Sequence, residues 1–100
     1  MEDTPGNKPQ LFIPTAFTPN NDGLNDNFVI KASPDLTYYH IRIFDNSNIQ
    51  LYESTVYGDA GWDGNANGQA EPVGSYLWVI DFQAAGTAKF SQNGYVQLIR

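Results

Sequence analysis

The sequence contains no cysteine. That excludes a disulfide framework, a thiolate zinc site and a thiol nucleophile together, and it is neutral on compartment. Positive charge is scarce as well. Lys8, Lys31, Lys89, Arg42 and Arg100 are the whole supply against 11 acidic residues, for a net charge of −6. A surface of that sign argues against nucleic acid and against anionic membrane as partners. It suits a cation or a basic protein. Charged residues of both signs make up only 16% of the chain, below the usual ~25%, so neutral polar groups must cover much of the surface. No apolar run approaches the ~18 residues of a membrane span, so direct membrane insertion is not expected. Helical periodicity is missing too, and His40 is the one histidine.

What is present points to a folded domain. The chain has 100 residues, 41% hydrophobic and 14% aromatic, which is globular rather than disordered composition. Residues 1–10 read as a flexible linker, with Pro5, Gly6 and Pro9 opposing regular structure and no apolar signal segment. The stretch has the look of an edge cut from a longer protein. Residues 11–100 read as a single domain, expected to be monomeric in isolation.

Short apolar runs alternate with turns along that domain. Leu11-Phe12-Ile13 is an edge strand stopped by Pro14. Phe28 to Lys31 is a second strand, closed by Ser33-Pro34-Asp35. From Tyr38 to Asp45 the alternation is clearest, with Tyr39, Ile41 and Ile43 on one face and His40, Arg42 and Phe44 on the other. Asn46-Ser47-Asn48 turns the chain into Ile49 to Glu53. Pro72-Val73-Gly74 leads into Ser75 to Phe82, where Tyr76, Trp78, Ile80 and Phe82 oppose Leu77 and Val79. The hairpin turn Ala84-Ala85-Gly86-Thr87 returns the chain through Ala88 to Arg100, with a bulge expected at Asn93-Gly94. The pattern predicts an all-β fold, an antiparallel β-sandwich of about seven strands.

Two turns carry ligand chemistry. The first runs Phe17-Thr18-Pro19-Asn20-Asn21-Asp22-Gly23-Leu24-Asn25-Asp26, and the second follows Trp62 from Asp63 to Glu71. A calcium loop needs oxygens at positions one, three, five, seven and nine, with glycine at six. Thr18, Asn20, Asp22, Leu24 and Asp26 meet that spacing around Gly23. Asp63, Asn65, Asn67, Gln69 and Glu71 meet it around Gly68. Neither has the glutamate of position twelve, where Val29 and Gly74 stand. The same residues equally build self-capped Asx turns, so calcium and solvated turn remain alternative readings of both.

The chain also carries five motifs in order. They are Phe17-Thr18-Pro19-Asn20-Asn21-Asp22-Gly23-Leu24-Asn25-Asp26-Asn27-Phe28, Ile41-Arg42-Ile43-Phe44-Asp45, Trp62-Asp63-Gly64, Pro72-Val73-Gly74-Ser75-Tyr76, and Gly94-Tyr95-Val96-Gln97-Leu98-Ile99-Arg100. Together they resemble the gliding motility-associated C-terminal domain, the type B sorting domain of the type IX secretion system. The likeness covers roughly residues 11 to 100. It departs after the third strand, where the family's Arg-aromatic-Gly turn is replaced by Asn46-Ser47-Asn48.

The resemblance implies an immunoglobulin-like sandwich and a non-catalytic sorting signal. Such a domain directs a large surface or secreted protein through the periplasm, across the outer membrane and to the cell surface or medium. Its partners would be components of the secretion machinery. A folded label is read by its surface: a sheet edge, a loop cluster or the last strand. Tyr95, Val96, Gln97, Leu98, Ile99 and Arg100 are the candidates for recognition, and the same apolar residues also serve as core.

Other functions have weaker signals. His40 sits alone mid-strand, Asp22 and Asp26 have no inferable cleft around them, and no phosphate-cradling loop opens a helix. The rival is a calcium-stabilised carbohydrate-binding or adhesin module in which Trp62, Trp78 and tyrosines form a stacking platform. A structural spacer within an adhesin is the third reading.

Overall fold

The computed structural model describes residues 8–20 and 26–100. Its strands are β1 (Gln10–Phe12), β2 (Ala16–Phe17), β3 (Lys31–Ser33), β4 (Leu36–Phe44), β5 (Gln50–Ser54), β6 (Asn65–Ala66), β7 (Gln69–Ala70), β8 (Gly74–Ala84) and β9 (Phe90–Leu98). The described residues contain no helix.

Five of these strands form one sheet in the order β2-β9-β8-β4-β5. Its centre is built by the two segments with the strictest alternation. Tyr39, Ile41 and Ile43 of β4 lie opposite Phe82, Ile80 and Trp78 of β8, and all six are buried. β8 then pairs with β9 from Gly74↔Leu98 to Phe82↔Phe90 in one unbroken register. The opposing layer is shorter. β1 and β3 pair antiparallel, and a bridge between Phe28 and Trp62 continues the line of β3. Phe28, Ile30 and Trp62 close the core from that side. The result is an all-β, immunoglobulin-like sandwich.

Several details differ from the sequence expectations. The segment Phe28 to Lys31 pairs regularly only from Lys31 onward, because β1 offers it just Gln10, Leu11 and Phe12 as partners. β2 lies parallel to β9, with Ala16↔Gln97 and Phe17↔Leu98. Pro14 separates β1 from β2 and, lacking an N–H, ends the first ladder so that the chain crosses to the other sheet. Asn93-Gly94 is not a bulge. Gly94 faces Trp78 in regular pairing, and a Cβ there would lie 2.6 Å from the indole Cζ2. Register shifts occur instead between Ile43 and Phe44 against β5, and between Leu36 and Tyr38 against β8.

Candidate recognition surface

β9 is not an exposed edge along its whole length. Its last residues are covered by β2, with the Gln97 N–H donating to the Thr15 carbonyl at 2.9 Å and the Ile99 N–H to the Phe17 carbonyl at 3.0 Å. Strand pleating then divides the predicted recognition residues in two. Val96 and Leu98 point into the core and are 0% and 1% exposed. Tyr95 and Ile99 point outward and are 68% and 50% exposed. Gln97 shares their side and donates from Nε2 to Ser75 Oγ on β8. The segment therefore turns Tyr95, Gln97 and Ile99 to the outside and spends Val96 and Leu98 on packing.

Arg100 has a different task. Its Nη2 donates to the carbonyls of Gly64 and Glu71 at 3.2 and 3.0 Å, and its Nε to Glu71 at 3.2 Å. The guanidinium thus ties the residue after Ile99 to both ends of the second Asx-rich turn. A hollow of ≈ 170 Å³ beside it is lined by Pro19, Asp26, Asn27, Asp63, Asn65 and Arg100. The two turns singled out in the sequence meet there, with Arg100 between them. Gly64 permits this closeness: its φ is +84°, and a Cβ would stand 2.7 Å from Leu98 Cδ1.

The second turn is a β-hairpin. β6 and β7 pair as Asn65↔Ala70 and Ala66↔Gln69. Asn67 and Gly68 form the two-residue connection with φ of 54° and 79°, both positive as a type I′ turn requires. Asp63 Oδ1 accepts the Asn65 N–H at 3.0 Å, and the Glu71 N–H donates to the Gly64 carbonyl at 2.9 Å. These oxygens serve the backbone, and the cation nearest to them is Arg100. Two backbone carbonyls of the segment, those of Gly64 and Glu71, face a guanidinium.

Of the first turn, Asp22 and Leu24 lie outside the described residues. Thr18 gives its carbonyl to the Asn20 N–H at 2.8 Å, and Asp26 Oδ1 accepts the same N–H at 3.2 Å. Among the described residues no three His, Asp or Glu side chains gather as a metal would need.

The platform for stacked sugars is not where the tryptophans are. Trp62 is 1% exposed, held between Phe17 and Tyr76 at ring separations of 5.5 and 5.2 Å. Its Nε1 donates to the Asn65 carbonyl at 2.9 Å, which anchors the hairpin to the core. Trp78 is buried beneath Gly94. Both are core residues, because each lies on the inward side of its strand or bridge. His40 meets Glu53 across β4 and β5, with Nε2 and Oε2 2.6 Å apart. That hydrogen bond holds the Glu53 carboxyl below its usual range. The pair stands on an open sheet face with no cleft around it.

Sequence reasoning missed Leu77 and Phe44 as surface residues of interest. Their parity was legible, but their position directly beside Tyr95 follows only from the register of three strands. It also missed the reach of Arg100, which depends on tertiary structure alone.

Comparison with known proteins adds one finding. A family model described as CHU_C Type IX secretion signal domain matches residues 11–98. No curated protein and no solved structure matches the chain.

Proposed function

Since this chain belongs to the type IX secretion signal domain family, we propose that it is the address label of a large surface or secreted protein. The label is read by the type IX machinery after the cargo enters the periplasm, and the cargo then crosses the outer membrane to the surface or medium. The domain acts by being bound and makes or breaks no bond. Its working form is a monomeric sandwich attached to its cargo.

The observation that carries this reading is the extent of the family match, which spans the sandwich from β1 through Leu98. The geometry supports it in a second way. The outward residues of β9 are presented on a strand held along its length by β8 and at its end by β2, the kind of preorganised surface that a docking partner favours. The buried tryptophans take two of the aromatic residues away from the platform that the carbohydrate-binding alternative needs.

The test is export of a reporter. The 100-residue chain is fused after a periplasmic reporter protein in a host with the secretion system, and the reporter is assayed outside the cell. Release into the medium or onto the surface that vanishes when the secretion system is disabled is the expected result. A reporter that stays in the periplasm refutes the role.

A further inference from the structure

Antiparallel sheets with one wet face usually carry polar residues there. The outer face of the five-stranded sheet departs from that at one end. Phe44, Leu77 and Tyr95 stand directly opposite one another across β4, β8 and β9. Val79 occupies the next level, between Arg42 and Asn93. Ile49, in the adjoining β4–β5 turn, is 58% exposed. Further along, the face becomes polar, with His40, Asp81 and Ser91 in register. There the pairs His40–Glu53 and Arg42–Asp81 close at 2.6 and 3.2 Å. An apolar strip bordered by polar and charged groups is the pattern of an interface core and its rim.

The strip ends in a shallow hollow of ≈ 230 Å³ lined by Asp45, Asn46, Asn48, Ser75, Leu77 and Tyr95. Asp45 is fixed in place, with its Oδ1 accepting the N–H groups of Ser47 and Ile49 at 2.8 and 3.0 Å. Among the described residues no lysine or arginine forms an ion pair with Asp45. The hollow therefore joins a carboxylate, a phenol ring and an aliphatic wall. That set accommodates a long cationic side chain, its stem against Leu77 and Tyr95 and its charge at Asp45.

We propose that this strip and hollow form the face on which a protein of the secretion machinery docks. The partner inserts an arginine or lysine beside apolar residues of its own. The inference rests on the sorting role proposed above. Net charge favours this occupant over a second copy: each copy carries −6, so two copies repel one another.

The test compares reporter fusions of the wild-type chain with two variants. Leu77→Thr combined with Tyr95→Thr removes the apolar strip while keeping β-forming residues on an outward face. Asp45→Asn keeps the side-chain acceptor for the turn and removes the charge. Melting within a few degrees of the wild type is expected for both. Export should fall at least about tenfold for the double variant, as for loss of interface anchors, and several-fold for Asp45→Asn. The single substitution Tyr95→Thr, at the most exposed position, serves if the double variant loses its fold. Full export of the folded variants alongside the wild type overturns this face alone. A wild-type fusion that is not exported overturns the sorting role and this face with it. A wild-type chain that is dimeric in solution and becomes monomeric in the double variant gives the face to self-association and also overturns the proposal.

Discussion

Gly94 is the position at which one methyl group should do the most damage. It stands at an inward site of β9, opposite Trp78 in the ladder. The indole lies across it: an added Cβ would stand 2.6 Å from Cζ2, 3.0 Å from Cε2 and 3.3 Å from Cη2. Unstrained carbon contacts lie near ~3.5–4.0 Å, so Gly94→Ala obliges the ring to retreat by about 1 Å. It has little room to do so. Trp78 is buried and lies opposite Ile43 on the far side. Overpacking of this kind costs about 1–3 kcal/mol. A domain of this size loses about 4–8 °C of melting temperature per kcal/mol, so a fall of about 4–24 °C is expected. Thermal unfolding followed by circular dichroism measures it, with the outward neighbour Asn93→Ala as the control that should not move.

The double variant makes the argument sharper. Trp78→Phe opens space over position 94 and also removes a buried Nε1 that has no hydrogen-bond partner, which offsets part of the lost packing. In that background Gly94→Ala should cost less, with a coupling of about 1 kcal/mol between the two sites. A Gly94→Ala protein that melts with the wild type, or costs that are strictly additive, would refute the packing of the indole on this backbone.

Arg100→Ala removes the hydrogen bonds to Gly64 and Glu71 and should cost about 1–2 kcal/mol, the low end for bonds from a charged group because the site is partly exposed. Amide exchange from Asp63 to Glu71 should accelerate by about tenfold per 1.4 kcal/mol. Arg100→Lys should recover little, since an ammonium cannot span the two carbonyls as the guanidinium does. Alkaline pH should unfold the domain. Burial, reinforced by nearby Tyr52 and Asp59, raises the Tyr39 phenol above its ordinary 10.0. The unfolded chain then gives up this proton first, so stability is intact below about pH 10 and declines above it, by at most about 1.4 kcal/mol per pH unit. Tyr39→Phe should flatten that decline in melts at pH 9 to 11, and an unaltered slope would assign it to other groups. Calcium filling either turn at a hundred times its dissociation constant should raise the melting temperature by more than about 10 °C relative to chelator, and an unchanged melt would leave both as solvated Asx turns.

The parts of the fold legible in the sequence are those with large residues at period two. Tyr39, Ile41 and Ile43, and then Tyr76, Trp78, Ile80 and Phe82, announce the central strands because each inward position buries a big side chain. β2, β6 and β7 are two residues long and leave no periodic imprint, so they were invisible. The parallel pairing of β2 with β9 depends on a chain crossing at Pro14 that no local pattern records. The segment Asp63 to Glu71 shows how one spacing serves two readings. Asn67-Gly68 satisfies the glycine position of a calcium loop for the same reason that it satisfies a type I′ turn, namely access to positive φ. The family motifs were legible because they are backbone requirements of this sandwich: Trp62 bridges to Phe28, and Tyr76 donates from its hydroxyl to the Pro72 carbonyl.

The division of labour along β9 decides which experiments are informative. Deleting Val96 to Arg100 is the obvious way to test a recognition strand, yet it removes three unlike things at once. Val96 and Leu98 are lost from the core, where burial of each is worth about 1.5–3 kcal/mol. Gln97 and Ile99 lose the backbone bonds that seat β2. Arg100 releases the hairpin carbonyls. A domain with about 5–15 kcal/mol in hand cannot absorb all of that, so lost export after such a deletion would report unfolding as readily as lost recognition. Substitutions confined to Tyr95, Gln97 and Ile99 leave the inward set and the backbone ladder in place. The two-residue period of the strand thus separates, residue by residue, what holds the domain together from what it turns outward.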